Sequence, residues 1–189
     1  MNIEIQTYLP SWPSEFEQIS AVLRNSLGGL ALRIDHIGST AVPGLAAKDR
    51  IDVQVTVASL DAVAREALSS LGYTHVEHIT CDHRPPGASG NPADWSKWFF
   101  RPPVNQRPTN LHVRVAGAAN QRYALLFRDY LRSHPPQAVA YGELKRRLAA
   151  SLRDAEHYPD VKDPAVDLIY YAAEAWAAAC GWAVGRSDA

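Results

Sequence analysis

The chain has 189 residues, 47% of them hydrophobic and 21% charged, with a formal net charge of −1, a balance that excludes an intrinsically disordered chain and suits one globular domain with a full core. Near neutrality, with a pI of about 6.6, also removes the global positive field on which binding to duplex nucleic acid depends, so a small-molecule partner is expected. Cys81 and Cys180 make no CxxC pair and no disulfide framework. The N-terminal residues have neither the basic start nor the apolar run of a signal peptide, and a cytoplasmic location is expected. The most apolar segment, Val166–Val184, is interrupted by Asp167 and Glu174, which points to a docked helix rather than a membrane span.

Taken in order, residues 3–7 alternate weakly and predict a short strand. Pro10 and Pro13 bracket the start of a helix that ends at Gly28-Gly29, with Phe16, Ile19, Val22, Leu23 and Leu27 on its apolar face and Trp12 stapling its entry. A strand over 33–37 leads into Gly38-Ser39-Thr40, a turn with a glycine for close backbone approach and two hydroxyls, the makings of a phosphate turn. Ile51-Asp52-Val53-Gln54-Val55 then alternates as a strand, which puts Asp52 and Gln54 on one face. A helix over 60–71, a strand over 73–79, a Pro/Gly-rich loop over 80–94 read as a lid, and strands over 95–100 and 110–115 follow. From Gln121 onward three helices are predicted, over 121–133, 136–152 and 164–182, the last with Asp163 as N-cap. The fold class is α+β: a mixed four- to five-stranded sheet, helices packed on one face, and a helical C-terminal region. A single domain over 1–189 is expected, with an α/β core over 1–115 and a helical part over 116–189.

The chemistry gathers on the polar faces of two strands. Asp52 and Gln54 on one, and His112 and Arg114 on the other, converge if the strands are neighbours; Asp52 and His112 then suit one divalent metal, and Arg114 suits a phosphate or carboxylate. His36, at the end of the first strand, reads either as a ring bonded to the backbone or as a ligand or acid/base. Lys48 and Lys97 supply cations near the cleft. Ser39 lacks a GxSxG elbow for a nucleophile. His75, His78, Cys81 and His83 lack the spacing of a zinc site. Arg128, Arg132, Lys145, Arg146 and Arg147 read as a solvated face, since Asp129 and Glu143 interleave. The chain contains no GxxxxGK[ST], so it is not itself a P-loop kinase.

An apolar residue, Gly-Ser, a dozen residues, then Asp-x-polar on a strand resembles the entry motif of the DNA polymerase beta-like nucleotidyltransferases. In that superfamily the turn grips nucleotide phosphates, and two carboxylates on the strand, with a third on a later one, hold two magnesium ions. Here Gln54 stands in place of the second carboxylate and His112 of the third. The longer string HIGSTAVPGLAAK over 36–48, LHVRV over 111–115 and FRDYLRSHP over 127–135 look like the GrpB family, whose fold is similar to that superfamily's, and the resemblance covers nearly the whole chain. It implies a nucleotide or other phosphate-bearing ligand bound by Gly38, Ser39, Thr40, Lys48, Gln54, Lys97 and Arg114, with Asp52, His112 and His36 as catalytic candidates. Metal-assisted transfer is one expected activity. The alternatives are a non-catalytic module for a nucleotide or CoA-type ligand, and a different small-molecule enzyme using His36, Asp52 and His112. GrpB-type domains occur fused to dephospho-CoA kinases, which implies an association with a kinase of the CoA pathway.

Overall fold

A computed structural model describes residues 3–88 and 91–189. Helix α1 (Trp12–Leu27) starts with a proline in its first turn and buries Trp12, Phe16, Leu23 and Leu27 along one face. Strand β1 (Arg33–Ile37) lies antiparallel to β2 (Ile51–Val57), which in turn lies parallel to β5 (Thr109–Val115). Beyond β5 come β4 (Trp98–Arg101) and the two-residue β3 (Thr74–His75), both antiparallel to their neighbours, so the five-stranded sheet runs β1-β2-β5-β4-β3. The protein is α+β, as its patterning predicts.

The strict alternation of β2 and β5 divides the sheet into two unlike faces. Ile51, Val53, Val55, Val57, Leu111 and Val113 are buried together with Ile34, Phe100 and the apolar faces of α1 and α2 (Ala62–Ser70). Asp52, Gln54, Asn110, His112 and Arg114 take the opposite face. Over that face stand α3 (Ala119–Ser133), α4 (Pro135–Ser151) and α5 (Tyr158–Cys180), held together by a second core that includes Leu126, Tyr130, Leu131, Tyr141 and Tyr170. The polar strand face and the helical region therefore meet across a cleft. Among the described residues no helix is long and apolar enough to cross a membrane.

Several predicted elements end elsewhere. The strand expected over 3–7 is a single bridge, Gln6 to Ala47. The strand expected over 73–79 shrinks to two residues because the backbone folds into a turn after Val76, with Ile79 N bonded to Val76 O at 3.0 Å. Trp95 belongs to a 3-10 turn, Pro92–Trp95, whose capping box of Asn91 and Asp94 outcompetes extension. Helix α5 begins at Tyr158, and Pro164 lies inside it, where it forfeits one backbone bond instead of starting the helix.

The C-terminal residues run along the free edge of β1. Ser187 Oγ donates to Ile34 O (3.0 Å) and accepts from Ile34 N (2.9 Å), His36 N donates to the Asp188 carboxylate (2.9 Å), and Ala189 N donates to Ile34 O (3.1 Å).

Candidate phosphate-binding site

The turn after β1 is built around Gly38. Its φ of +69° and ψ of −166° fall where only glycine is at ease. A Cβ there would overlap the Asp52 carboxylate, lying 2.9 Å from Asp52 Cβ and Cγ. The absence of a side chain thus lets the turn lie directly against Asp52. Ser39 follows in a single 3-10 turn, Ser39–Ala41, with its hydroxyl toward the cleft.

The cleft encloses about 380 Å³. Its floor is Gly38, Ser39, Asp52, Asn110 and His112, and its far wall is α4 and α5, which supply Tyr141, Lys145, Tyr158 and Lys162. Lys145 is buried, with 3% of its surface exposed. Its Nζ donates to Ser39 Oγ (2.7 Å) and lies 4.6 Å from the Tyr141 ring centre. No carboxylate lies within ion-pair distance of it among the described residues. Burial pushes the Lys145 ammonium down to about 7, and the charge of Lys162 adds to the shift. Lys48 is exposed at the mouth with its Nζ 4.1 Å from the Tyr158 ring centre, and it too is depressed by burial, by Lys162 and by the neighbouring Arg50. Lys162 has a partner, Asp163, at 3.7 Å. Three ammonium groups thus line one side of the cleft beside a hydroxyl and a turn.

Asp52 is half-buried. Its Oδ1 accepts from Asn110 Nδ2 (2.7 Å) and lies 3.9 Å from His112 Nε2. Burial opposes its ionisation, yet His112 and Asn110 outweigh that and hold the carboxyl below its usual range. His112 Nδ1 is 3.4 Å from both Lys97 Nζ and Arg114 Nη2. Two cationic donors on one ring nitrogen require it to accept, which leaves the hydrogen on Nε2, facing Asp52. Burial first, then Arg114, takes the His112 imidazole down to about 4, so it is neutral near pH 7.

Behind the cleft lies a saturated ion cluster. Asp82 accepts from Arg114 Nε (2.8 Å) and Nη2 (2.9 Å), Lys97 Nζ (2.6 Å) and Asn120 Nδ2 (3.0 Å). Arg114 Nη1 donates to Gln54 Oε1 (2.6 Å), and Gln54 Nε2 to Gln121 O (3.3 Å). Gln54 is wholly buried.

The structure therefore brings Gly38, Ser39, Lys48, Asp52 and His112 together at the cleft and sets others apart. His36 is turned to the opposite face of the sheet, stacked on Phe16 at 4.8 Å and bonded through Nε2 to Thr40 Oγ1 (3.0 Å). That bond occupies Thr40, which is buried. Gln54, Lys97 and Arg114 spend their polar groups on the Asp82 cluster. Arg114 reaches the cleft wall, but its fork is already filled by a carboxylate. The loop read as a lid is tied by Asp82 to β5, so this part of it is wall. Lys145 and Arg128 are buried rather than on a solvated face; Arg128 Nη1 donates to His36 O (3.0 Å) and Asp188 (2.7 Å). Sequence reasoning missed Lys145, Lys162, Asn110 and Asp82. For Lys145 the signal exists, because Ala138, Tyr141 and Lys145 share one helical face and the first two are core residues.

The donor set fits a divalent ion poorly. Asp52 offers a carboxylate, but His112 presents an N–H where a ligand lone pair is required, and Gln54 is sealed beneath Arg114. Among the described residues no group of three or more His, Cys, Asp or Glu side chains is disposed to hold a metal.

These features define an α+β protein whose glycine-serine turn, strand aspartate and lysine-bearing helices enclose a cationic cleft. A family model described as GrpB protein matches residues 2–171. The crystal structure of the conserved protein GrpB from Enterococcus faecalis is 30% identical, covers 92% of this chain and 99% of that one, and superposes with a TM-score of 0.70. A UPF0157 protein of Halalkalibacterium halodurans is 34% identical over 92% of this chain and 84% of its own length. The chain belongs to the GrpB family. A dephospho-CoA kinase of Mycolicibacterium paratuberculosis is 40% identical over 92% of this chain but only 46% of its own length; the chain spans about half the length of the curated kinases it matches. The structure of Cid1 with its short product ApU, at 16% identity and a TM-score of 0.46, is a fainter likeness and weighs nothing on function.

Proposed function

We propose that the cleft binds the phosphates of a nucleotide or CoA-type ligand, with Ser39, Lys48, Lys145 and Lys162 as the cradle. The observation that carries this reading is Lys145: a buried ammonium bonded to Ser39, with no carboxylate in ion-pair contact among the described residues and only the more distant Asp52 charge in its favour, lacks the close counter-charge that burial normally demands. A phosphate supplies it. The half-buried rings of Tyr123 and Phe127, together with Tyr141 and Tyr158, add apolar wall on which the rest of such a ligand can pack. The names of the longer relatives point to CoA chemistry, and association of this domain with a CoA-pathway kinase belongs to the same reading.

Titration calorimetry with ATP, dephospho-CoA and tripolyphosphate, each with and without EDTA, tests it. Binding that survives EDTA and is lost in Lys145→Met is expected; unchanged affinity in Lys145→Met sinks it. Sulfate, whose charge is fixed, adds a pH test. Free Lys145 titrates at about 7, and an anion beside it raises that value. Binding therefore takes up a proton above about pH 7, and sulfate affinity should fall by up to about tenfold per pH unit there. Stability moves the other way. The unfolded chain holds the Lys145 proton up to its ordinary value of 10.5, so this group's destabilising contribution is full below about 7 and fades as pH rises between the two values. Lys145→Met should then raise the melting temperature at neutral pH while abolishing the anion response.

A second reading, metal-assisted phosphoryl or nucleotidyl transfer, is favoured by one feature, the ionised Asp52 carboxylate pressed against the turn. Asp52→Asn separates the two, because an asparagine oxygen can keep the Asn110 bond. If no metal bridges Asp52 to the ligand, deleting a negative charge from a cationic cleft tightens phosphate binding; a bridge would make the same variant weaker. Tighter binding is expected.

A further inference from the structure

Toward the β4 side of Asp52, two arginines come together with no ion-pair partner among the described residues. Arg50, in the loop before β2, donates through Nη1 to Asn110 Oδ1 at 3.4 Å, and Arg101, at the end of β4, donates to the same oxygen. Neither has a carboxylate within ion-pair distance among the described residues. Asp52 makes no ion pair with either; it accepts from the amide nitrogen of Asn110, and its charge acts on Arg101 from a distance. The Arg101 guanidinium, on an exposed residue, lies 4.7 Å from the Phe99 ring centre, a cation–π contact that helps to hold it in place. Burial and the neighbouring Arg50 charge press the Arg101 guanidinium below its ordinary value, and the more distant Asp52 charge does not make up for them. Two guanidiniums gathered on one neutral amide oxygen repel each other, and the fold keeps them there.

We propose that Arg50 and Arg101 form a second phosphate subsite at the β4 side of the same cleft, with Arg50 lining it beside Lys48; the subsite takes a phosphate group of a second molecule or of the far end of the same ligand. A carboxylate is satisfied by a single arginine fork, whereas a phosphate has oxygens enough for two. This deepens the reading of the cleft as a phosphate-binding site and rests on it for the ligand's chemistry, though not for the subsite's existence.

Inorganic phosphate is the probe, and its binding stoichiometry by titration calorimetry is the readout, with circular dichroism confirming the fold of each variant. Wild-type protein is expected to bind two phosphates, Arg50→Gln/Arg101→Gln one, and Lys145→Met one. Because Arg50 is partly buried, the exposed Arg101→Gln alone provides a second check, with a loss of about tenfold in the affinity of one site. Two sites persisting in the double arginine variant overturn the subsite, as does a single wild-type site that only Lys145→Met removes; that result leaves the lysine cradle standing. Two sites persisting in Lys145→Met, with one lost in the arginine variant, overturn the cradle and support the subsite.

Discussion

Replacing Asp82 by asparagine should destabilise the protein by about 3–5 kcal/mol, since it leaves Arg114 and Lys97 buried beside a neutral amide. For a chain of this size that is a fall in melting temperature on the order of 10 °C. The dependence on acid gives an independent signature. Burial opposes ionisation of Asp82, but the charge and hydrogen bonds of Arg114, and then Lys97, hold its carboxyl well below the ordinary 3.8. Its contribution to stability is therefore complete above 3.8 and is lost as pH falls from there toward the folded value. The wild type should weaken steeply below about pH 4 and Asp82→Asn much less, as urea unfolding at a series of pH values can measure. Identical acid profiles would show that the cluster is not what anchors the loop.

Gly38→Ala is expected to strike stability and binding together. Alanine at φ +69°, ψ −166° carries backbone strain of roughly 1–3 kcal/mol, and its Cβ must also displace the Asp52 carboxylate or the turn. The variant should melt several degrees lower and lose its response to sulfate and tripolyphosphate. Wild-type affinity in this variant is the outcome that would separate the turn from the ligand.

The parts of this architecture that sequence reveals are those with a local period. Alternation in Ile51–Val57 and in Leu111–Val115 specifies which face each side chain takes, and the parallel pairing of β2 and β5 brings Asp52 beside Asn110 and Gln54 beside His112. Gly38-Ser39 reads as a turn because only glycine suits its backbone. What stays hidden is pairing at a distance. Nothing in a Pro/Gly-rich loop announces that Asp82 will meet Arg114, 32 residues on, and so Arg114 reads as a free clamp when its donors are spent. His36 fails for a different reason: its position at the strand end is right, but alternation assigns it to the face of Ile34, against α1 and away from Asp52. Lys145 is misread by counting charges along α4 instead of asking which face each one takes. Pro164 misplaces the start of α5, and with it the turn that carries Tyr158 and Lys162 over the cleft.

The run of bonds from Ser187, Asp188 and Ala189 to β1 has a consequence for how this molecule behaves in a crowded solution. A five-stranded open sheet has two borders where unpaired amides can recruit a strand from another molecule. At the β3 border the strand is only two residues long, too short a template to propagate pairing. At the β1 border the chain covers its own template, with Ser187 taking both the N–H and the carbonyl of Ile34, and Asp188 taking the N–H of His36 while also accepting from Arg128. Both borders are thus closed to edge-to-edge aggregation from within, one by brevity and one by occupation.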